Sequence, residues 1–221
     1  MRFVRIFSTA LVALGLTGVV AAQTATYSLN DTAVSQFGAG PYGTVTLTQS
    51  ANDVLVNVAL SSDLNFISTG NLNSHSIFAF NWSGASANNI SNISFANGLG
   101  ATFGVAHPAN DSPFGQFDYG IICTQNCPAG GSQGGYADPL NFTVANATIS
   151  QFANQSTGQT AAYFAADVLR VSAPNAGSTG AIGAISPGVV AAVPEPESYA
   201  MLLAGLGVMG AVVRRRKNNL V

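Results

Sequence analysis

The placement of charge constrains this chain more than any motif does. Seven of its 221 residues are Lys or Arg, and six of those lie at the ends: Arg2, Arg5, Arg214, Arg215, Arg216 and Lys217. Between residues 23 and 193 a single basic residue, Arg170, faces seven Asp, so that stretch carries a net charge of −6. A nucleic-acid partner needs clustered Lys and Arg to neutralise phosphates, and the middle of the chain offers none. Charged residues make up 7% of the whole, against roughly 25% in an average soluble protein. The apolar fraction of 48% is nevertheless too high for a chain kept unfolded by solvation. Each basic cluster adjoins an uncharged apolar run, so the chain reads as a neutral-to-acidic middle held between two membrane-directed ends.

The N-terminal run, Ile6 to Val20, follows Arg2 and Arg5 and precedes the small residues Ala21 and Ala22. A basic start, an apolar stretch and small residues before a polar one describe a secretory signal peptide over residues 1–22. Cleavage by signal peptidase is expected between Ala22 and Gln23. The run is short for a retained anchor, since a spanning helix needs ~20 residues.

At the other end, Pro194-Glu195-Pro196 precedes an uncharged run from Tyr199 to Val213, and Arg214, Arg215, Arg216 and Lys217 follow. Fifteen helical residues span only about 22 Å of a ~30 Å hydrocarbon core. Snorkelling arginines and Ser198 would extend that reach, so a transmembrane helix is expected over 199–213 with its basic tail 214–217 held in the cytoplasm. Arg2 and Arg5 belong on the same side, which sends the middle of the chain across the inner membrane.

The order of Pro194-Glu195-Pro196, a short apolar helix containing Gly205, Gly207 and Gly210, and a terminal basic cluster resembles the PEP-CTERM sorting signal of Gram-negative bacteria. The resemblance covers residues 194–221 and is specific because three unlike parts recur in fixed order. It implies an exported protein handled by an exosortase, transiently anchored in the inner membrane and then delivered to the cell surface or matrix. Proteins with this tail are often associated with exopolysaccharide in biofilms, and the tail class is also named after ice-binding proteins.

Residues 23–185 are expected to form an all-β domain, an antiparallel β-sandwich of jelly-roll or Ig-like type, followed by a linker over 186–193. Thr44 to Thr48 and Val54 to Val58 alternate with period two, as half-buried strands do. Similar runs lie at Ser76–Trp82, Asn89–Phe95, Gln116–Ile122, Leu140–Ile149, Tyr163–Val171 and Gly180–Ile185. Gly, Asn, Ser and Pro clusters separate them and supply turn conformations. The only cysteines, Cys123 and Cys127, are expected to form a disulfide in an oxidising compartment.

Candidate chemistry is sparse. Gly130-Gly131-Ser132-Gln133-Gly134 matches a nucleophile elbow, but no helix pattern and no later His supports it. His75 and His107 lack metal-ligand spacing. Asp111, Asp118 and Asp138 bracket a Gly- and Pro-rich stretch without a calcium-loop pattern. No metal, no cofactor and no catalytic residue is therefore assigned. Thr44, Thr46 and Thr48 share one strand face at ~7 Å spacing, a single rank where an ice-binding face needs several. Eight N-x-[ST] sites, Asn81 among them, reflect the Asn-, Ser- and Thr-rich composition. The expected role is that of a non-enzymatic surface or matrix protein. The alternative is a carbohydrate-binding or adhesive module using hydroxyl and amide groups with exposed Tyr or Trp82, although Trp82 is also expected in the aromatic core with Phe66, Phe78, Phe80, Phe95, Phe103, Phe117, Phe142, Phe152 and Phe164. A secreted hydrolase is the remote alternative.

Overall fold

The computed structural model describes residues 22–68, 76–84, 86–127, 135–191 and 202–210. Residues 22–192 form one compact unit, and the terminal segments belong to another. The first unit is all-β, as expected, and every paired strand runs antiparallel.

Its strands in chain order are β1 (Thr24–Leu29), β2 (Asp31–Thr32), β3 (Gly43–Ser50), β4 (Asp53–Leu60), β5 (Leu64–Phe66), β6 (Phe78–Phe80), β7 (Ile90–Asn97) and β8 (Thr102–Ala106). Then follow β9 (Ala109–Asp111), β10 (Gly115–Phe117), β11 (Tyr119–Gln125), β12 (Ala137–Val144), β13 (Phe164–Arg170), β14 (Thr179–Ala184) and β15 (Val189–Ala191). Sheet A has the order β15-β1-β3-β4-β12-β7. Sheet B has the order β2-β14-β13-β6-β11-β8, with β5 also paired to β13, and β9 and β10 form a separate hairpin.

The two sheets share one core. Alternation in sheet A turns Tyr27, Val45, Leu47, Val56, Val58 and Phe142 inward, and all are buried. Sheet B meets them with Phe78, Phe80, Tyr119, Phe164 and Val168. Aromatic rings bridge the layers. Tyr27 stands edge-on to Phe164 at 4.7 Å, and Phe142 lies 5.2 Å from Phe80 and 6.1 Å from Phe78. Such pairs contribute about 0.5–1.5 kcal/mol each beyond the area they bury.

Sheet B is also covered on its far side. There Gly183, Ala165, Ala79 and Gly120 lie opposite one another across β14, β13, β6 and β11, a rank of small residues. Phe114 occupies the space they leave: a Cβ on Gly183 would stand 2.6 Å from its ring. Phe114 and Phe117 complete a second, smaller apolar cluster with Ala79, Ala109, Ala165 and Ala181. Ser156 fastens the hairpin turn, its hydroxyl donating to the Phe114 carbonyl at 2.6 Å and accepting from the Ala162 amide at 2.9 Å.

The structure departs from the sequence expectations at several elements. The expected strand Gln116–Ile122 is two strands broken at Asp118, because β10 belongs to the covering hairpin and β11 to sheet B. The expected strand Leu140–Ile149 ends at Val144, where Asn146 takes a left-handed conformation and a 3-10 turn, Ile149–Phe152, begins. β15 falls inside the stretch expected as linker, pairing with β1 at the edge of sheet A. For the expected transmembrane helix, the structure describes helix over 202–210 only, with exposed residues. Among the described residues no helix is long and apolar enough to cross a membrane.

Candidate functional site

The outward face of sheet A is a polar surface that runs across five strands. Its polar residues come from the same period-two alternation that buries the valines. Strand register brings Thr26, Thr46, Asn57, Asn141 and Ser94 into one row across five strands. A second row holds Thr24, Thr48, Leu55, Thr143 and Ser91, and a third holds Ser28, Thr44 and Ala59. Neighbouring strands lie ~4.8 Å apart and successive rows ~6.8 Å apart. None of these residues is ionisable. The nearest carboxylate along β4, Asp53, accepts a hydrogen bond from the Asn146 amide.

A shallow depression of about 360 Å³ lies over this face, lined among others by Thr48, Leu55, Asn57, Asn92, Asn141 and Thr143. At its floor Asn57 Nδ2 donates to Asn141 Oδ1 at 2.7 Å. An amide has two donor hydrogens and a carbonyl with two lone pairs, so this bond leaves Asn57 Oδ1 and Asn141 Nδ2 with capacity to spare. Asn92 Nδ2 reaches Thr143 Oγ1 at 3.5 Å. The Asn57–Asn141 pair therefore keeps one acceptor and one donor group for further hydrogen bonds.

The structure decides between the two places expected for Trp82 in favour of the aromatic core. Trp82 is 2% exposed, packed 5.5 Å from Tyr119, and its indole N–H faces Gln151 Oε1 at 3.4 Å. Tyr27, Tyr42, Tyr119 and Tyr136 are buried as well. Trp82 therefore belongs to the core and offers no stacking platform. Asn81 is buried too, accepting from the Asp118 amide and donating to the Asn154 carbonyl, which makes it a loop fastener.

The other singled-out residues do not converge. Asp111 lies on the covering hairpin, Asp118 between β10 and β11, and Asp138 on β12 in the other sheet. Among the described residues no three of His, Cys, Asp or Glu gather as a metal group. Asp111 is buried with Asp167 of β13 close enough to repel it. Burial first, and Asp167 second, hold its carboxyl well above the usual carboxylate range. Its Oδ2 has no hydrogen-bond partner. The His107 ring stacks on Tyr119 at 4.7 Å and its Nδ1 contacts the Asp118 carbonyl. Cys123 and Cys127 are joined in a disulfide, with Cα atoms 5.8 Å apart, at the end of β11. His75 and the string Gly130 to Gly134 lie outside the described residues.

Both chain ends leave this domain from neighbouring positions. Thr24, the first residue of β1, is paired with Ala191, the last of β15. Ala22 and Gln23 are exposed, and the Gln23 carbonyl already accepts a hydrogen bond from the Gln49 amide at 2.8 Å. The expected cleavage bond between them thus stands one residue from the sheet. Beyond Ala191, Pro194, Glu195 and Pro196 and the cluster Arg214, Arg215, Arg216 and Lys217 lie outside the described residues.

Comparison with known proteins bears on that end of the chain. A family model described as the PEP-CTERM protein-sorting motif matches residues 192–217. No curated protein and no solved structure matches the chain. The match spans the Pro-Glu-Pro sequence, the apolar run with the helix at 202–210, and the basic cluster. The chain therefore carries a PEP-CTERM protein-sorting motif, the signal of exported proteins that an exosortase sorts at the membrane of Gram-negative bacteria.

Proposed function

We propose that this chain is a non-catalytic component of the cell surface or extracellular matrix that associates with neutral exopolysaccharide through the outward face of sheet A. The observation that carries this reading is the uncharged array of Thr, Ser and Asn over five strands of a domain whose net charge is −6. A polyanionic glycan is repelled by such a domain, whereas a neutral one meets hydroxyls and amides of matching donor and acceptor capacity. Repeated weak contacts along a polymer also add through effective concentration, so a shallow face suffices where a deep pocket is absent. In this reading the signal peptide is removed after Ala22, the tail anchors the chain at the inner membrane until an exosortase acts, and the domain is a jelly-roll sandwich. The last point draws support from the chain's repeated crossing between sheets, from β4 to β6 to β7 to β8 and from β11 to β12 to β13.

The test is retention of the full-length protein on immobilised neutral and uronic-acid polysaccharides, alongside the double variant Asn57→Ala/Asn141→Ala. Retention on neutral chains alone, lost in the variant, is the expected outcome. Equal retention of both proteins, or none of either, rejects the proposed face.

A second reading draws on the register of Thr24, Thr26 and Ser28 beside Thr48, Thr46 and Thr44, which adds a hydroxyl rank next to the one on β3. Two adjacent ranks at strand spacing are the beginning of an ice-matching surface. Thermal hysteresis of the purified protein would favour it over the glycan reading.

A further inference from the structure

Gln23 is the residue that removal of the signal peptide would expose. It belongs to the β domain, stands immediately before β1, and is exposed. Among the described residues its main-chain carbonyl accepts a hydrogen bond from the Gln49 amide at 2.8 Å. Its nitrogen and its side-chain carboxamide make none.

The position has a chemistry of its own. An N-terminal glutamine carries a nucleophilic amine three carbons away from its carboxamide carbon, so attack closes an unstrained five-membered ring. Amines of this kind titrate near pH ~7.7–8.0, and about a tenth of them are unprotonated at neutral pH. The nitrogen bonds to Cδ, the Cδ–N bond of the carboxamide breaks, and ammonia departs with the proton that the amine gives up. Neither an oxidant nor a second reactant is needed. The product is a neutral lactam, and the positive charge leaves as ammonium.

The fold accommodates this ring. It contains N, Cα, Cβ, Cγ and Cδ of Gln23 and leaves the carbonyl outside, so the bond from the Gln49 amide survives closure. Gln23 borders a depression of about 760 Å³ with Gln49, Asn52, Asn146, Thr148 and Ser150, and no residue that lines it is ionisable. Residues 23–193 contain no Lys, so the α-amine would be the one primary amine in that stretch. Ring closure leaves it with none.

We propose that Gln23 is a modification site, whose carboxamide acylates its own α-amine so that the mature domain begins with pyroglutamate. Closure also denies aminopeptidases the free amine they grip, one residue before β1 begins. The inference rests on cleavage between Ala22 and Gln23, which the same experiment reads separately.

The exported protein is purified from the bacterium that makes it, alongside Gln23→Ala. Primary amines of both are methylated in denaturant before digestion, which keeps ring closure during handling from being counted. Mass spectrometry of the N-terminal chymotryptic peptide then gives its first residue, its label and its ammonia content. The unaltered chain should begin at position 23, lack the label and be short of one ammonia in most molecules. Gln23→Ala, with no carboxamide to lose, should begin at the same position and be labelled. A labelled Gln23, or an unlabelled one that has kept its ammonia, overturns the modification and keeps the cleavage. Absence of label from Gln23→Ala as well means that other chemistry blocks the amine, which also overturns it. An unaltered chain that begins elsewhere overturns the cleavage and the modification together.

Discussion

The two sheets of the domain meet on one core but treat their outward faces oppositely. Sheet B carries Gly183, Ala165, Ala79 and Gly120 outward and is sealed by the β9–β10 hairpin with Phe114 and Phe117. Sheet A carries Thr, Ser and Asn outward, and no described element of the domain covers them. Small residues invite another layer because they leave room for its side chains. Hydroxyls and amides in rows do the reverse, since covering them would require a partner for every donor and acceptor. One face is thus committed to stability, and the other, in the function proposed here, meets a partner that brings its own hydrogen bonds.

The sharpest way to break this contrast is to remove the plug. Phe114→Ala empties the space over Gly183 and leaves a cavity between hairpin and sheet. A fully buried Phe truncated to Ala loses about 3–5 kcal/mol, while the bond from the Ser156 hydroxyl to the main-chain carbonyl of residue 114 survives the change. Denaturant unfolding should show a midpoint displaced by that amount. A shift below about 1 kcal/mol would mean that the hairpin is an ornament and that sheet B stands without it.

Strands β3 and β4 of sheet A are readable in the sequence because they obey one rule. Thr44 to Thr48 and Val54 to Val58 alternate, and alternation by itself assigns both the strand and its buried face. Sheet B breaks that rule for a physical reason. Its strands are buried on both sides, so Phe78-Ala79-Phe80 reads as an unbroken apolar run and Phe164 to Leu169 is interrupted only by Asp167, with outward Ala79 and Ala165 marked by small size. The covering hairpin is illegible. Gln116 to Ile122 looks like one strand, and nothing local says that the chain changes layer at Asp118. Trp82 admits two readings in the sequence, core aromatic in step with Phe78 and Phe80 or exposed binding platform, and the structure takes the first, with its ring held by Tyr119 in the core. The candidate face is half legible. Its β3 rank shows in the sequence, but the neighbouring Thr24, Thr26 and Ser28, and the meeting of Asn57 with Asn141 across 84 positions, follow only from register.

A second test bears on the cover over sheet B through pH. Asp111 sits on the hairpin and is buried, with its carboxyl held above the ordinary range by desolvation and by Asp167. In the unfolded chain the same carboxyl ionises near pH ~3.9. Below that value both states hold the proton and this group's contribution to stability is complete. As the pH rises toward the raised folded value, the unfolded state releases its proton first, so stability falls. The unfolding midpoint should accordingly drop as the pH rises above about 4, and Asp111→Asn, which cannot ionise, should flatten that slope. A midpoint that climbs over the same interval in the unaltered protein, and is unaffected by the substitution, would remove Asp111 from the account.

The smallest expected effect on stability falls on the uncovered face. Thr46→Ala deletes a half-exposed hydroxyl that has cross-strand neighbours in Thr26 and Asn57 but no buried partner to strand. Substitutions of this kind ordinarily change unfolding free energy by no more than about 0.5 kcal/mol. The same change removes a member of the longest polar row on sheet A. If that row meets a glycan, retention on a neutral polysaccharide should weaken while the melting curve stays where it was. A drop in melting temperature comparable to that of a core truncation would instead show Thr46 to be structural. The two sheets would then differ in composition without differing in purpose.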